Sequence, residues 1–228
     1  QGPLVIADAD FDTKKRRSPS VAKASTERGS ATSRGVGLPQ TYQRLPGTRR
    51  EAKGLSKTHK LPQNRVLVGA KATEAALKKV KGPTILHVAT HGFFVDAPEE
   101  PRTQKGDVRT RRKLIDPMLR SGLALSGYNH RGSRDAQDDG VLTALEAASL
   151  DLRGTAMVVL SACETGLGKV RTGEGVYGLK RALALAGSES QALTLWKVDD
   201  DATEALMTRW YTKLQQGEDR LDALRATQ

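Results

Sequence analysis

Cysteine is almost absent: Cys163 is the only one in 228 residues. A lone thiol excludes an internal disulfide and, with it, the stapled frameworks of small secreted domains. Long apolar runs are missing too. No stretch approaches the roughly 20 residues of a membrane-spanning helix, and the start of the chain carries no secretory signal pattern. Metal signatures are incomplete. Asp8, Asp10 and Asp12 alternate, but no EF-hand spacing follows them. His87 and His91 stand four apart without the glutamate of a metalloprotease. They fall on a predicted strand, where that spacing spans roughly 13 Å, too far for one ion. Nucleotide signatures fail in the same way. Gly173 to Gly178 reads G-x-G-x-x-G with Asp199 beyond it, but the fingerprint has to follow a strand at once, and the stretch from Ala162 to Thr172 intervenes. In the stretch ending Gly166-Leu-Gly-Lys169, Cys163 stands where a phosphate loop needs its first glycine. Neither a metal nor a cofactor is expected.

The net charge of +11 is not spread over the chain. Residues 13–60 hold 13 Lys and Arg against Glu27 and Glu51, and the remainder balances 24 basic residues with 24 acidic ones. A flexible basic segment can hold polyanions non-specifically. Because the excess belongs to one segment and not to a face of the fold, a nucleic-acid partner is not expected.

Two apolar runs dominate what remains. Ala156-Met-Val-Val-Leu160 is rich in branched residues and leads into Ser161-Ala-Cys-Glu-Thr-Gly166. It reads as a buried strand whose exit loop carries Cys163. Thr84 to Thr90 is a second such strand, ending in His91-Gly92-Phe93-Phe94. If the two are parallel neighbours, both reactive residues open onto the carboxyl edge of one sheet, where open α/β folds hold their chemistry. A thiol is mostly protonated at neutral pH and needs a base or a cation beside it, and imidazole has the right intrinsic pKa. The plainer alternative for Cys163 is a buried small hydrophobe.

The rest of the chain alternates strand and helix. Strands are expected at Pro3–Ala7, Asn64–Gly69, Leu119–Leu125 and Gln191–Trp196. Helices are expected from Leu45 with a capped start, at Thr73–Val80 with Thr73 as cap, at Gly140–Leu150, at Gly175–Ala186 stopped by Gly187, at Thr203–Leu214 and from Asp219 onward. This alternation argues for right-handed crossovers onto a largely parallel sheet. Two basic loops interrupt it, at 13–40 and 97–114. The first is too polar to offset its ordering entropy and is expected to be mobile. The second follows His91 directly and should border a substrate groove. At 228 residues, one domain over 1–228 is the default. The chain begins at Gln1 and stops inside a predicted helix, so a module cut from a longer protein is expected.

Several blocks occur in an order that resembles the CHAT domain family, caspase-like and separase-like cysteine peptidases found mostly in bacteria. They are Leu86-His-Val-Ala-Thr-His-Gly-Phe-Phe94, Arg120 to Gly127, Gly140 to Glu146, Val158 to Gly168, Gly173 to Gly178 and Leu195 to Asp200. The resemblance implies a caspase-like three-layer α/β sandwich with a mainly parallel central sheet flanked by helices. It implies a cysteine endopeptidase in which His91 and Cys163 form a catalytic dyad. The backbone amides of Gly92 and Cys163 would form the oxyanion hole. A basic residue before the cut would need an acidic pocket, for which Asp200 and then Asp199 are the candidates, with Glu164 and Glu204 as outsiders. The alternative is that Asp201 caps the following helix and the other acids are solvated. The basic loops are candidate self-cleavage sites, with passive surface loops as the alternative. The expected partners are a protein substrate and an activating domain or protein, in the cytoplasm and with no membrane. The alternatives are a catalytically silent relative serving as an interaction module, and another thiol enzyme, such as an acyltransferase, on a similar sheet.

Overall fold

The computed structural model describes residues 2–14, 38, 41–95, 117–133, 138–164, 174–194 and 200–228, with backbone alone at 117, 133, 162–164, 174–177 and 200. Most of both basic loops lies outside the described residues. Within them the strands are β1 (Leu4–Ala9), β2 (Val66–Gly69), β3 (Ile85–Phe94), β4 (Ser121–Ala124), β5 (Val141–Thr143), β6 (Met157–Glu164) and β7 (Gln191–Leu193). The helices are α1 (Pro46–Thr58), α2 (Glu74–Lys78), α3 (Pro117–Arg120), α4 (Ala144–Ala147), α5 (Glu174–Leu185), α6 (Asp200–Gln215) and α7 (Arg220–Arg225).

Five strands run parallel in the order β2-β1-β3-β6-β7. Helices link them as crossovers, α1 between β1 and β2, α2 between β2 and β3, and α5 between β6 and β7. Side chains alternate across the sheet, and each face buries its own set. Leu4, Ile6, Leu86, Val88, Val158 and Leu160 pack with residues of α2, α4 and α5. Val5, Ala7, Ala89 and Val159 pack with α1, α6 and α7, where Trp210 and Tyr211 are the largest buried rings. The result is a three-layer α/β sandwich around a mainly parallel sheet, the architecture that the resemblance implies.

The strand that matters most is longer than its sequence indicates. Gly92 reads as the start of a loop, yet β3 runs on through His91 and Gly92 to Phe94. Gly92 pairs with Glu164 of β6 on one edge and with Leu123 of β4 on the other. The antiparallel β4–β5 pair therefore takes over the edge of β3 that β1 has left. That join is tight at Gly122, where a methyl group would run into Leu142 O and lie 2.7 Å from Phe93 Cζ.

Other boundaries also shift. The helix expected over Gly140–Leu150 shortens to α4, because Val141, Leu142 and Thr143 pair with β4 instead. Thr143 then closes a reciprocal capping box with Glu146. α1 has no side-chain cap, and Pro46, which has no N–H to satisfy, opens it. Thr73 caps α2 as expected, accepting from Ala76 N at 3.1 Å. Gly187, at φ +104°, ends the turn that follows α5.

Glu74 of α2 is fully buried and accepts from Gly140 N at 3.2 Å and from Lys78. Burial pushes its carboxyl up to about 8 against the pull of Lys78, with Asp139 and Glu146 adding to the rise. A raised carboxyl keeps its proton in the folded chain after the unfolded chain has lost it. Its contribution is therefore complete below the ordinary carboxylate range and is lost as pH rises through about 8. Glu74→Gln should flatten the loss of stability between about pH 5 and 8, a dependence that one such group limits to about 1.4 kcal/mol per pH unit. Urea unfolding across that range measures it.

Candidate active site

The carboxyl ends of β3 and β6 bring the two reactive residues together. Eight successive pairs run in register from Ile85↔Met157 to Gly92↔Glu164, and the seventh is His91↔Cys163. Neighbouring strands lie about 4.8 Å apart. Backbone pairing therefore sets the histidine and the cysteine side by side. Cys163 belongs to the strand itself, where the sequence reads as a loop. This edge is where open parallel sheets receive ligands.

His91 is buried, and its ring is held on two sides. Nε2 lies 2.8 Å from the backbone carbonyl of Gln43. A carbonyl can only accept, so Nε2 carries the proton and Nδ1 is the basic nitrogen of the neutral ring. Tyr42 stacks on the imidazole at 4.5 Å and 17°, and Phe11 lies 5.4 Å away. Gln43 supplies a third group that no sequence motif reveals, because its contribution is a main-chain oxygen.

The acidic residues offered for a substrate pocket divide. Asp200 is the first residue of α6, and Asp199 lies outside the described residues. Asp201 is within the first turn of α6 instead of before it, and it pairs with Arg50 of α1. Glu204 accepts from the same guanidinium at 2.9 Å. Glu164 stands beside Cys163 in β6, in register with Gly92. Among the described residues no group of three His, Cys, Asp or Glu gathers to hold a metal ion, and no helix is long and apolar enough to cross a membrane.

The model of one protein family, described as the CHAT domain, matches residues 1–228, the whole chain. The chain belongs to the CHAT domain family. A comparison with curated proteins finds no match. The caspase-like character of the family agrees with the three-layer architecture around the β1–β3–β6 core.

Earlier along the same two strands, the CHAT domain holds a buried polar row against α1 and α6. His87 is 1% exposed, and its Nδ1 lies 3.0 Å from the Tyr211 hydroxyl. Its Nε2 stands 3.1 Å from Glu51 Oε1, an ion-pair distance without the direction of a good hydrogen bond. Glu51 Oε2 accepts from Ser161 Oγ at 3.2 Å. Burial pushes the Tyr211 phenol well above its ordinary range, so it stays protonated. His87 is therefore a packed strand histidine, and α1 is tied to both central strands through Glu51. Glu51→Ala strands His87 and Ser161 in the core and should cost about 2–3 kcal/mol, whereas Tyr211→Phe should cost about 1 kcal/mol. Denaturant midpoints of the two variants test that order.

Proposed function

We propose that this CHAT domain is a cysteine endopeptidase that works through Cys163 and His91. The observation that carries the reading is the register of the two residues at the carboxyl end of adjacent central strands. Support comes from the Gln43 carbonyl, which leaves Nδ1 of His91 as the nitrogen able to take a proton. In this reading His91 takes the thiol proton and the Cys163 sulfur attacks the scissile carbonyl. The tetrahedral oxyanion is met by the backbone amides of Gly92 and Cys163. His91 returns the proton to the leaving amine, and an acyl-enzyme remains. Water, deprotonated by the same imidazole, then releases the acid and restores the thiol.

The cut falls after Arg or Lys, with Asp200 meeting the basic side chain and Asp199 next to it. The position of Asp200 at the start of α6 supports this choice, as does the commitment of Asp201 and Glu204 to Arg50. The substrate is a protein, and an activating domain or partner regulates the site.

A panel of fluorogenic peptides varied at the residue before the cut tests both levels. Turnover after Arg or Lys should fall by about a thousandfold or more in Cys163→Ala and in His91→Ala, and Asp200→Ala should lose the preference. Cleavage after another residue type keeps the dyad and removes Asp200. If the wild type neither turns over nor is labelled at Cys163 by a peptidyl ketone, the domain is a silent interaction module.

A further inference from the structure

The segment that holds His91 belongs to no helix or strand. Residues 41–45 run irregularly into α1, so no ladder fixes where the Gln43 carbonyl points. Side chains fix it instead, one on each flank. Asn129 grips Tyr42, its Oδ1 accepting from Tyr42 N at 2.9 Å and its Nδ2 donating to Tyr42 O at 3.0 Å. The same amide donates to Asp12 Oδ1 at 2.8 Å, and the Asn129 N–H donates to Phe11 O at 3.0 Å. Asp8 grips Arg44, its two carboxylate oxygens accepting from Arg44 Nε at 3.2 Å and from the terminal nitrogen at 2.7 Å. Arg49 approaches the same carboxylate at 3.5 Å.

Asp8 is held at some cost. It is 3% exposed, it sits where the β1–β2 register breaks between Ala7 and Ala9, and its φ is +49°. Left-handed backbone at a residue with a side chain persists only where its surroundings demand it. Here the twist delivers the carboxylate to Arg44 and turns the Asp8 N–H onto Thr48 Oγ1 at 2.9 Å. The end of β1 is thereby fastened to both sides of the entry into α1.

We propose that Asp8 and Asn129 are positioning residues that clamp Tyr42–Arg44, aim the Gln43 carbonyl at His91 Nε2 and so keep Nδ1 as the basic nitrogen. The proposal rests on His91 acting as the base. Neither residue touches substrate. Each acts through the backbone of a neighbour, Asn129 on the residue before Gln43 and Asp8 on the residue after it.

The test is the tautomer of the His91 ring, read by long-range proton–nitrogen NMR on histidine-labelled protein and assigned against His91→Ala. At a pH where the ring is neutral, the wild type should show the Nε2–H form. Asn129→Ala should lower the fraction of that form. Turnover of the preferred peptide should then fall by about 10- to 100-fold in kcat, with KM within about twofold. Asp8→Asn removes the charge while keeping a residue type that tolerates left-handed backbone, and it should shift the ring in the same direction. It also decides the matter if Asn129→Ala does not fold. Loss of stability alone would not move the tautomer. A wild-type ring in the Nδ1–H form, or folded variants whose ring spectra match the wild type, would overturn the clamp. A wild type without turnover removes the peptidase reading and leaves the ring spectra to decide this one.

Discussion

The parallel pairing of β3 with β6 is the constraint on which the rest depends. Each strand is too apolar to lie anywhere but the middle of a sheet, and a parallel partner has to be reached by a crossover. Once paired, the strands have little freedom in register, because a slip of one residue would turn the buried set of each strand to the wrong face. The same restriction that packs Val88 beside Leu160 and Ala89 beside Ser161 sets His91 beside Cys163. Core packing and the candidate site are thus one specification. The helices hold the register from both sides, α5 against one face and α1 with α6 against the other.

Around that pair the chain places polar groups where only tertiary structure can satisfy them. Glu51, His87, Tyr211 and Ser161 gather beneath the site, His87 bonding Tyr211 and Glu51 bonding Ser161, and each comes from a different element. Asp8 with Arg44, Asn129 with the Tyr42 backbone, and the Gln43 carbonyl with His91 pair off beside it. Buried polar groups of this kind are costly unless their partners are in place, so they tie α1 and the end of β1 to the central strands in one arrangement. The basic segment that gives the chain its net charge takes part. Arg44 and Arg49 serve Asp8, and Arg50 joins α1 to the first turn of α6.

Much of this was legible in the sequence, for physical reasons that differ by element. The β3 and β6 runs stand out because a strand buried on both faces is apolar at most positions. The helix before Gly187 stands out because glycine supplies the left-handed turn that ends it. His91 and Cys163 could be named because their chemistry is rare and their strands obvious. What was not legible depended on partners distant in sequence. The extension of β3 to Phe94 depends on β4 lying across Gly92, and the conversion of Val141–Thr143 into a strand depends on the same neighbour. The hold of Gln43 on His91 is carried by a carbonyl that any residue possesses. The role of Asp8 depends on a left-handed turn that its neighbours along the chain do not announce.

The most direct measurement is the rate of Cys163 alkylation by iodoacetamide as a function of pH, in the wild type and in His91→Ala. A cysteine paired with imidazole is a thiolate well below the ordinary thiol range. The account predicts alkylation that stays fast down to about pH 6 in the wild type and that falls away below about pH 8.5 once His91 is gone. A single titration near the ordinary thiol value, the same with and without His91, would contradict it.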